Sequence, residues 1–373
     1  MSIQYQQKGV DMLHGVFFVA IAILAVFTLL PLWSYEAWWV RALDFPRLQL
    51  VFISLLLMVI GLVLLDRSMF STWCILTITV LCFIYQAWWI VPYTRVFPVE
   101  VKSPITKDEK RMIRIMTANV LTPNRNSEAL LNLVRKNDPD VLVTLESDDW
   151  WQSKLDVLES DYPFAIKCPL DNLYGMHVYS RFELTNSHIE YLVEPDIPSI
   201  HTMVSLPSGQ KIRMHFLHPA PPSPTKNEDS KDRDAELIIV ARSVAESAVP
   251  VIVTGDLNDV AWSETTRLFR KISGLLDPRV GRGMYNTYNA NYWFMRWPLD
   301  HLFHSSQFTL SKIQRLEEFG SDHFALLTEL VYEAGHQVIQ KNLDADQDDL
   351  SWAKEKTAAK NASKEDVPEP EKQ

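Results

Sequence analysis

Residues 250–258, PVIVTGDLN, decide the fold. A short apolar run ends abruptly in Gly-Asp-Leu-Asn, so a strand buried on both faces delivers a carboxylate and an amide to one rim. Three other stretches share this setting: RIMTANV (114–120) ends at Asn119 and Val120, DVLVTLE (140–146) ends at Glu146, and Ser321-Asp322-His323 precedes FALLTELVY (324–332). Acidic and amide side chains gathered at strand ends are what a magnesium-dependent phosphoesterase requires, because Mg2+ prefers hard oxygen ligands.

Outward from these stretches, residues 112–332 alternate β-rich runs with polar-apolar segments of helical period. Strands are expected at 114–120, 140–146, 175–192, 200–206, 211–217, 250–256, 301–305, 309–317 and 324–332. Helices are expected at 127–137, 150–158, 231–247 and 263–272. Short turns such as LPSGQKI (206–212) join adjacent strands and imply antiparallel pairs. The expectation is an α/β fold of two mixed sheets flanked by helices, not a purely parallel doubly wound sheet.

Before this domain come three apolar stretches, 12–33, 48–65 and 70–92, each near the roughly 18–20 residues needed to cross a bilayer. They are too long and too numerous for a cleaved signal. Residues 1–95 are therefore read as a transmembrane region that anchors the chain in a lipid bilayer. Trp33, Trp38, Trp39, Trp88, Trp89 and Tyr93 cluster at the span ends, where aromatic rings sit at headgroup level. With three crossings, Lys8 and Arg67 fall on one side, and Arg41, Arg47, Arg95, Lys102 and Lys107 fall with the large domain, which leans towards a cytoplasmic domain.

VFPVEVKSPITKDEKR (96–111) reads as a linker, and 333–373, charged and poor in apolar residues, reads as a disordered tail. The three cysteines, Cys74, Cys82 and Cys168, suggest no disulfide framework. A net charge of −10 argues against a protein built to grip long duplex DNA. No protein partner is indicated.

Asn119, Glu146, His218, GDLN (255–258), Leu299-Asp300-His301 and Ser321-Asp322-His323 together resemble the ordered motifs of the endonuclease/exonuclease/phosphatase superfamily, over residues 112–332. The resemblance extends to relatives of the DNase, apurinic endonuclease, neutral sphingomyelinase and inositol 5-phosphatase types. It implies a four-layered α/β sandwich, phosphoester hydrolysis and a Mg2+ cofactor, with Mn2+ as a substitute. With the spans, it points to a bacterial-type member in the inner membrane.

By that resemblance Glu146, Asn119 and Asp322 are metal ligands, and Asp256 with Asn258 holds the attacking water. His323 bonds the phosphate and Asp300 orients it. His218, where apurinic endonucleases carry a Tyr, is placed to protonate the leaving oxygen, and Arg181 to bind phosphate. Each residue also has a plainer reading. Glu146 could be a solvated rim residue, GDLN an Asx-turn, His218 a loop histidine beside prolines, and Arg181 half of a surface ion pair. His177, His188, His201, His215, His301 and His304 are read as structural. The aromatic run YNTYNANYWFMRW (285–297) is either core or a loop beside the site that stacks on a base or touches a lipid tail. The leading expectation is a membrane-anchored Mg2+-dependent phosphoesterase. A nuclease is the alternative within the enzyme class, and a non-catalytic receptor or scaffold is the alternative outside it.

Overall fold

A computed structural model describes residues 2–33, 35–106, 108–333 and 340–370. Lys107 and residues 334–339 of the expected tail lie outside the described residues, as does the side chain of Lys8.

The chain opens with α1 (Ser2–Leu29), a short α2 (Trp38–Arg41), α3 (Arg47–Leu64) and α4 (Phe70–Ile90). Among the described residues three segments are long and apolar enough to cross a membrane: Asp11–Leu32, Arg47–Leu64 and Phe70–Tyr93. Thr28, Ser54, Thr72, Thr79 and Gln86 of these segments are buried. Arg47 is buried against Asp44 at 2.5 Å and lies over the Trp89 ring, which ties α3 to α4.

The first sheet takes β1 (Met112–Asn119), then α5 (Ser127–Asn137), β2 (Val141–Leu145), α6 (Asp149–Leu155), β3 (Phe164–Cys168) and β4 (Met176–Ser180). The second holds β5 (Leu184–Glu190), β6 (Ser199–Ser205), β7 (Lys211–Leu217), α7 (Lys231–Ala245), β8 (Val251–Asp256), α8 (Glu264–Ser273) and β9 (Asp300–His304). The chain returns to the first sheet with β10 (Phe308–Arg315) and β11 (Leu326–Tyr332). The orders are β10-β11-β1-β2-β4-β3 and β5-β6-β7-β8-β9, with β1–β2 and β7–β8 parallel and the other pairs antiparallel.

Ile113, Ile115, Val141 and Val143 of the first sheet share one core with Met214, Phe216 and Ile252 of the second, all fully buried. Each such side chain contributes about 1.5–3 kcal/mol by leaving water. Thr117 and Thr254 bond through their hydroxyls at 2.9 Å, so β1 and β8 face each other at the end where both motifs emerge. The expected run 175–192 is two strands, β4 and β5, in different sheets, and β3 carries no clear sequence signal because its burial pattern is mixed.

Two expectations are corrected. The stretch read as a linker is part of the domain: Val101 is fully buried in the core, and Glu100 pairs with buried Arg270. The stretch read as a disordered tail forms α9 (Gln347–Ala358), which begins with a capping box between Asp346 and Asp349. Ala353 packs on Ile238 and Leu268, Val367 enters the core beneath β8, and Lys356 bonds Asp234 at 2.6 Å and Glu36 at 2.9 Å. Low apolar content predicts disorder only when too little surface is buried to offset chain entropy; here a few correctly spaced residues and buried ion pairs suffice.

Candidate active site

The site forms where β1, β2, β8 and β9 end together. Asn119 closes β1 and Glu146 follows β2 in the left-handed conformation, φ 58°. Asp256 closes β8, and Asn258 follows with φ 52°. Gly255 has a specific reason: a Cβ there would lie 1.9 Å from the carbonyl oxygen of Leu217 on β7, so no other residue fits.

The side chains form one connected group. The Asn119 amide donates to Glu146 Oε1 at 2.9 Å and to Asp256 Oδ2 at 3.2 Å. Its carbonyl oxygen accepts from the Leu121 N–H, so Asn119 spaces two carboxylates. The Asn258 N–H donates to Asp256 Oδ1 at 2.9 Å, and the Asn258 side chain donates to the Pro219 carbonyl at 3.0 Å, fixing the loop that carries His218. His323 Nδ1 lies 2.8 Å from Asp300 Oδ2, and its Nε2 lies 3.5 Å from Asp256 Oδ2. His218 Nε2 approaches that same Asp256 oxygen at 3.8 Å. Ser321 bonds the Asn119 carbonyl at 2.8 Å and accepts from the His323 N–H, tying the last motif to β1.

Two buried histidines thus flank one carboxylate and differ in charge. For His323 burial disfavours the imidazolium, yet Asp300 and Asp256 outweigh it and raise its pKa to about 10. For His218 burial lowers it to about 4, Asp256 offsetting only part. His323 is therefore charged near neutrality and His218 is neutral, which takes from His218 the acidic proton expected of it. Burial also pushes Asp256 up, against the pull of His323. Burial raises Glu146 to about 7, although the Asn119 hydrogen bond favours its anion.

Two arrangements could hold a metal ion. Asp256, Asp300 and His323 bring one ligand atom each within 4.8 Å of one another. Charge on His323 and its hydrogen bond to Asp300 make that group an ion-pair relay more readily than a metal centre. Glu146 fits a cation better: its Oε2 is buried without a hydrogen-bond partner, burial pushes its carboxyl up, and Asp322 lines the same cavity. A buried carboxylate oxygen with no donor beside it suits a hard cation.

This cavity, about 560 Å3, has Glu146, Asp256, Asn258, Asp322 and His323 on one side. Tyr288, whose ring centre is 4.9 Å from that of His323, lines it together with Trp297, so the aromatic run does border the site. Arg181 does not belong. Antiparallel pairing of β4 with β2 puts Ser180 opposite Val141 and Met176 opposite Leu145, so Arg181 falls beside Asp140 at the far end of β2 from Glu146, about 20 Å away at the usual strand rise. There it pairs with Asp138 at 2.5 Å and lies on the Tyr162 ring. His201 and His215 bond each other at 2.6 Å in the second sheet, and His301 bonds Arg279, in keeping with structural roles.

Sequence reading missed Tyr174 and Lys226. Tyr174 packs on the His218 ring at 5.2 Å, and Lys226 donates to its hydroxyl at 3.0 Å. It also missed Arg233, buried on α7, which donates to the Asn258 carbonyl at 2.8 Å and pairs with Asp234 and Asp259. Arg233 stands between Asp232 and Asp234 in a charged stretch, so its local sequence gave no sign of burial.

Solved structures share the fold. One is an endonuclease/exonuclease/phosphatase from Beutenbergia cavernae, with TM-score 0.52, 20% identity, 64% of this chain and 76% of that one covered. Another is D. rerio TDP2 complexed with a single strand DNA product, with TM-score 0.50, 18% identity, 59% of this chain and 98% of that one covered. No curated protein matches the sequence. The model of the Endonuclease/Exonuclease/phosphatase family matches residues 116–323, more than half of the chain and every motif from Asn119 to His323. The chain belongs to the endonuclease/exonuclease/phosphatase family.

Proposed function

We propose that this protein is a membrane-anchored, Mg2+-dependent phosphoesterase that hydrolyses a phosphoester bond by in-line attack of water. The observation that carries the reading is the unpartnered Glu146 Oε2 beside a buried His323–Asp300 pair, at the rim where both sheets end. Glu146 and Asp322 would hold the ion, with Asn119 spacing Glu146 from Asp256, and Mg2+ or Mn2+ there would supply positive charge to the phosphate oxygens.

Asp256 receives the proton of the attacking water; its burial makes it a stronger base than an exposed aspartate. His323, kept cationic by Asp300, donates to a phosphate oxygen and stabilises the charge that grows in the transition state. Neutral His218, on the other side of Asp256, steadies that carboxylate and serves proton transfer to the leaving oxygen only after taking up a proton itself. Water's oxygen bonds to phosphorus, the bond to the leaving oxygen breaks, and the leaving alcohol departs with one proton. In this reading the three apolar segments anchor the chain, and the Lys/Arg bias of their flanks favours a cytoplasmic domain.

The test is metal-dependent turnover by the full chain in detergent, on plasmid DNA, abasic oligonucleotide, phospholipid vesicles and inositol phosphates. Glu146→Ala and His323→Ala serve as controls. A substrate lost in both variants supports the reading. A folded protein with no turnover across the panel leaves a receptor or scaffold built on the same fold.

A further inference from the structure

The catalytic cavity has a second wall that the domain does not supply. Trp38, Ala42, Phe45 and Pro46, from the segment joining the first two apolar helices, line it together with Asp256 and His323. Pro46 immediately precedes α3, so the wall ends where an apolar helix begins. The segment is docked firmly: the Trp262 indole donates to the Asp44 carbonyl at 2.8 Å, and the Phe45 and Trp297 rings meet edge to face at 5.6 Å. Tyr93, at the end of the third apolar segment, donates to the Ala261 carbonyl at 2.5 Å. Both attachments fall within a few residues of Asn258.

The second lip is the aromatic loop. Gln49, in the first turn of α3, donates to the Phe294 carbonyl at 2.9 Å, which sets this loop level with the start of that helix. In this loop Trp293 is 83% exposed and Phe294 53%, and Trp39, next in the chain to Trp38 of the cavity lining, is also exposed. Rings that are costly to leave in water and sit beside the end of an apolar helix belong at a bilayer's headgroup level.

Resting on the phosphoesterase reading above, we infer that the substrate is a phosphoester of a membrane lipid, taken from the bilayer that holds the protein's own helices. The cavity is matched to such a molecule. Its polar side meets the phosphate, while Trp38, Phe45, Pro46, Met295 and Trp297 meet the apolar backbone attached to it. The headgroup region is only about 5–7 Å deep on each side of the hydrocarbon, so a lipid phosphate reaches the site without leaving its leaflet. A nucleic acid would find little here. Arg41, a cation in this lining, already donates to the carbonyls of Pro31, Trp33 and Tyr35, and the chain carries net charge −10. In the reaction water's oxygen joins phosphorus, the ester P–O bond breaks, and the alcohol leaves with a proton, with no change of oxidation state.

The experiment uses the full chain in proteoliposomes with Mg2+. Rates are compared on phosphatidylethanolamine, phosphatidylglycerol and phosphatidic acid in the same bilayer, on short-chain soluble versions of each, on a single-stranded oligonucleotide, and on bis(4-nitrophenyl) phosphate. Confinement to one surface predicts at least about a tenfold advantage for a bilayer lipid over its soluble version. The lipid rate should fall when that lipid is diluted with a non-hydrolysable ether lipid at constant bulk concentration. Trp293→Ser should lower lipid turnover more than turnover of the small diester. Hydrolysis of the small diester or the oligonucleotide with none of any lipid overturns the lipid assignment alone, as does a lipid rate that ignores surface dilution. No turnover of any substrate by a folded protein overturns the phosphoesterase reading itself.

Discussion

Two buried polar clusters meet at Asn258 and are built to opposite rules. Beneath the catalytic loop, Glu36, Lys356, Asp234, Arg233 and Asp259 form a chain in which each charge has an opposite partner, from the segment between the first two apolar helices through α9 and α7 to the Asn258 carbonyl. Above it, Glu146 Oε2, Asp300 Oδ1 and His218 Nδ1 are buried with none. An unpartnered buried polar atom costs about 1–3 kcal/mol, so a fold keeps several side by side only where something else completes them. Saturated charges hold shape, and unsaturated ones await a ligand.

The largest effect expected is on the saturated side. Arg233→Met strips a cation from Asp234 and Asp259, and should destabilise the domain by about 3–5 kcal/mol, read as a lower thermal midpoint in detergent. An unchanged midpoint would break the distinction drawn between the two clusters. On the unsaturated side, His323→Gln keeps a hydrogen-bonding group but loses the charge. Turnover should fall about 10²–10³-fold, equivalent to roughly 2.7–4 kcal/mol of transition-state stabilisation.

A third expectation concerns Glu236, buried on α7 with an unpartnered Oε1 but outside the site. Burial raises its carboxyl to about 8 in the fold, with Glu194 adding to the rise, so folding favours the protonated form. The stability it contributes is complete below the unfolded value near 4.5 and is lost as pH rises towards 8, by about 1.4 kcal/mol per pH unit at the steepest. Glu236→Gln should therefore gain on the parent across that window when unfolding is followed at several pH values. A constant difference from pH 4 to 9 would show that Glu236 has a partner. The smallest effect is expected at the far rim, where Arg181→Ala should cost no more than about 1 kcal/mol and leave turnover intact. Substantial loss of turnover would return Arg181 to the site despite its place at the other end of β2.

The motif residues were legible because each lies at one end of an apolar run, after it at Asn119, Glu146 and Asp256 and before it at Asp300 and His323, and a buried strand has only its ends free to present a polar group. Asn119, Glu146, Asp256, Asn258, Asp300, Asp322 and His323 meet as that pattern implies. Arg181 was misread because Ser-Arg also ends a strand, and direction is invisible until pairing is known: β4 runs antiparallel to β2 and delivers its end to the wrong rim. The tail was misread because composition counts apolar residues but not their placement, and Ala353 and Val367 occupy positions worth more than their number.

The sequence by itself determined which chemistry is available, and that three segments are apolar enough to cross a bilayer, since both depend on residue type and local period. Only the tertiary structure decided that burial and Asp300 push His323 and His218 to opposite sides of neutrality, and that the segment between the first two apolar helices lines the candidate active-site cavity. Those outcomes depend on which carboxylates come within a few ångströms and how deeply each group is buried, and both distances and burial arise from residues far apart in the chain.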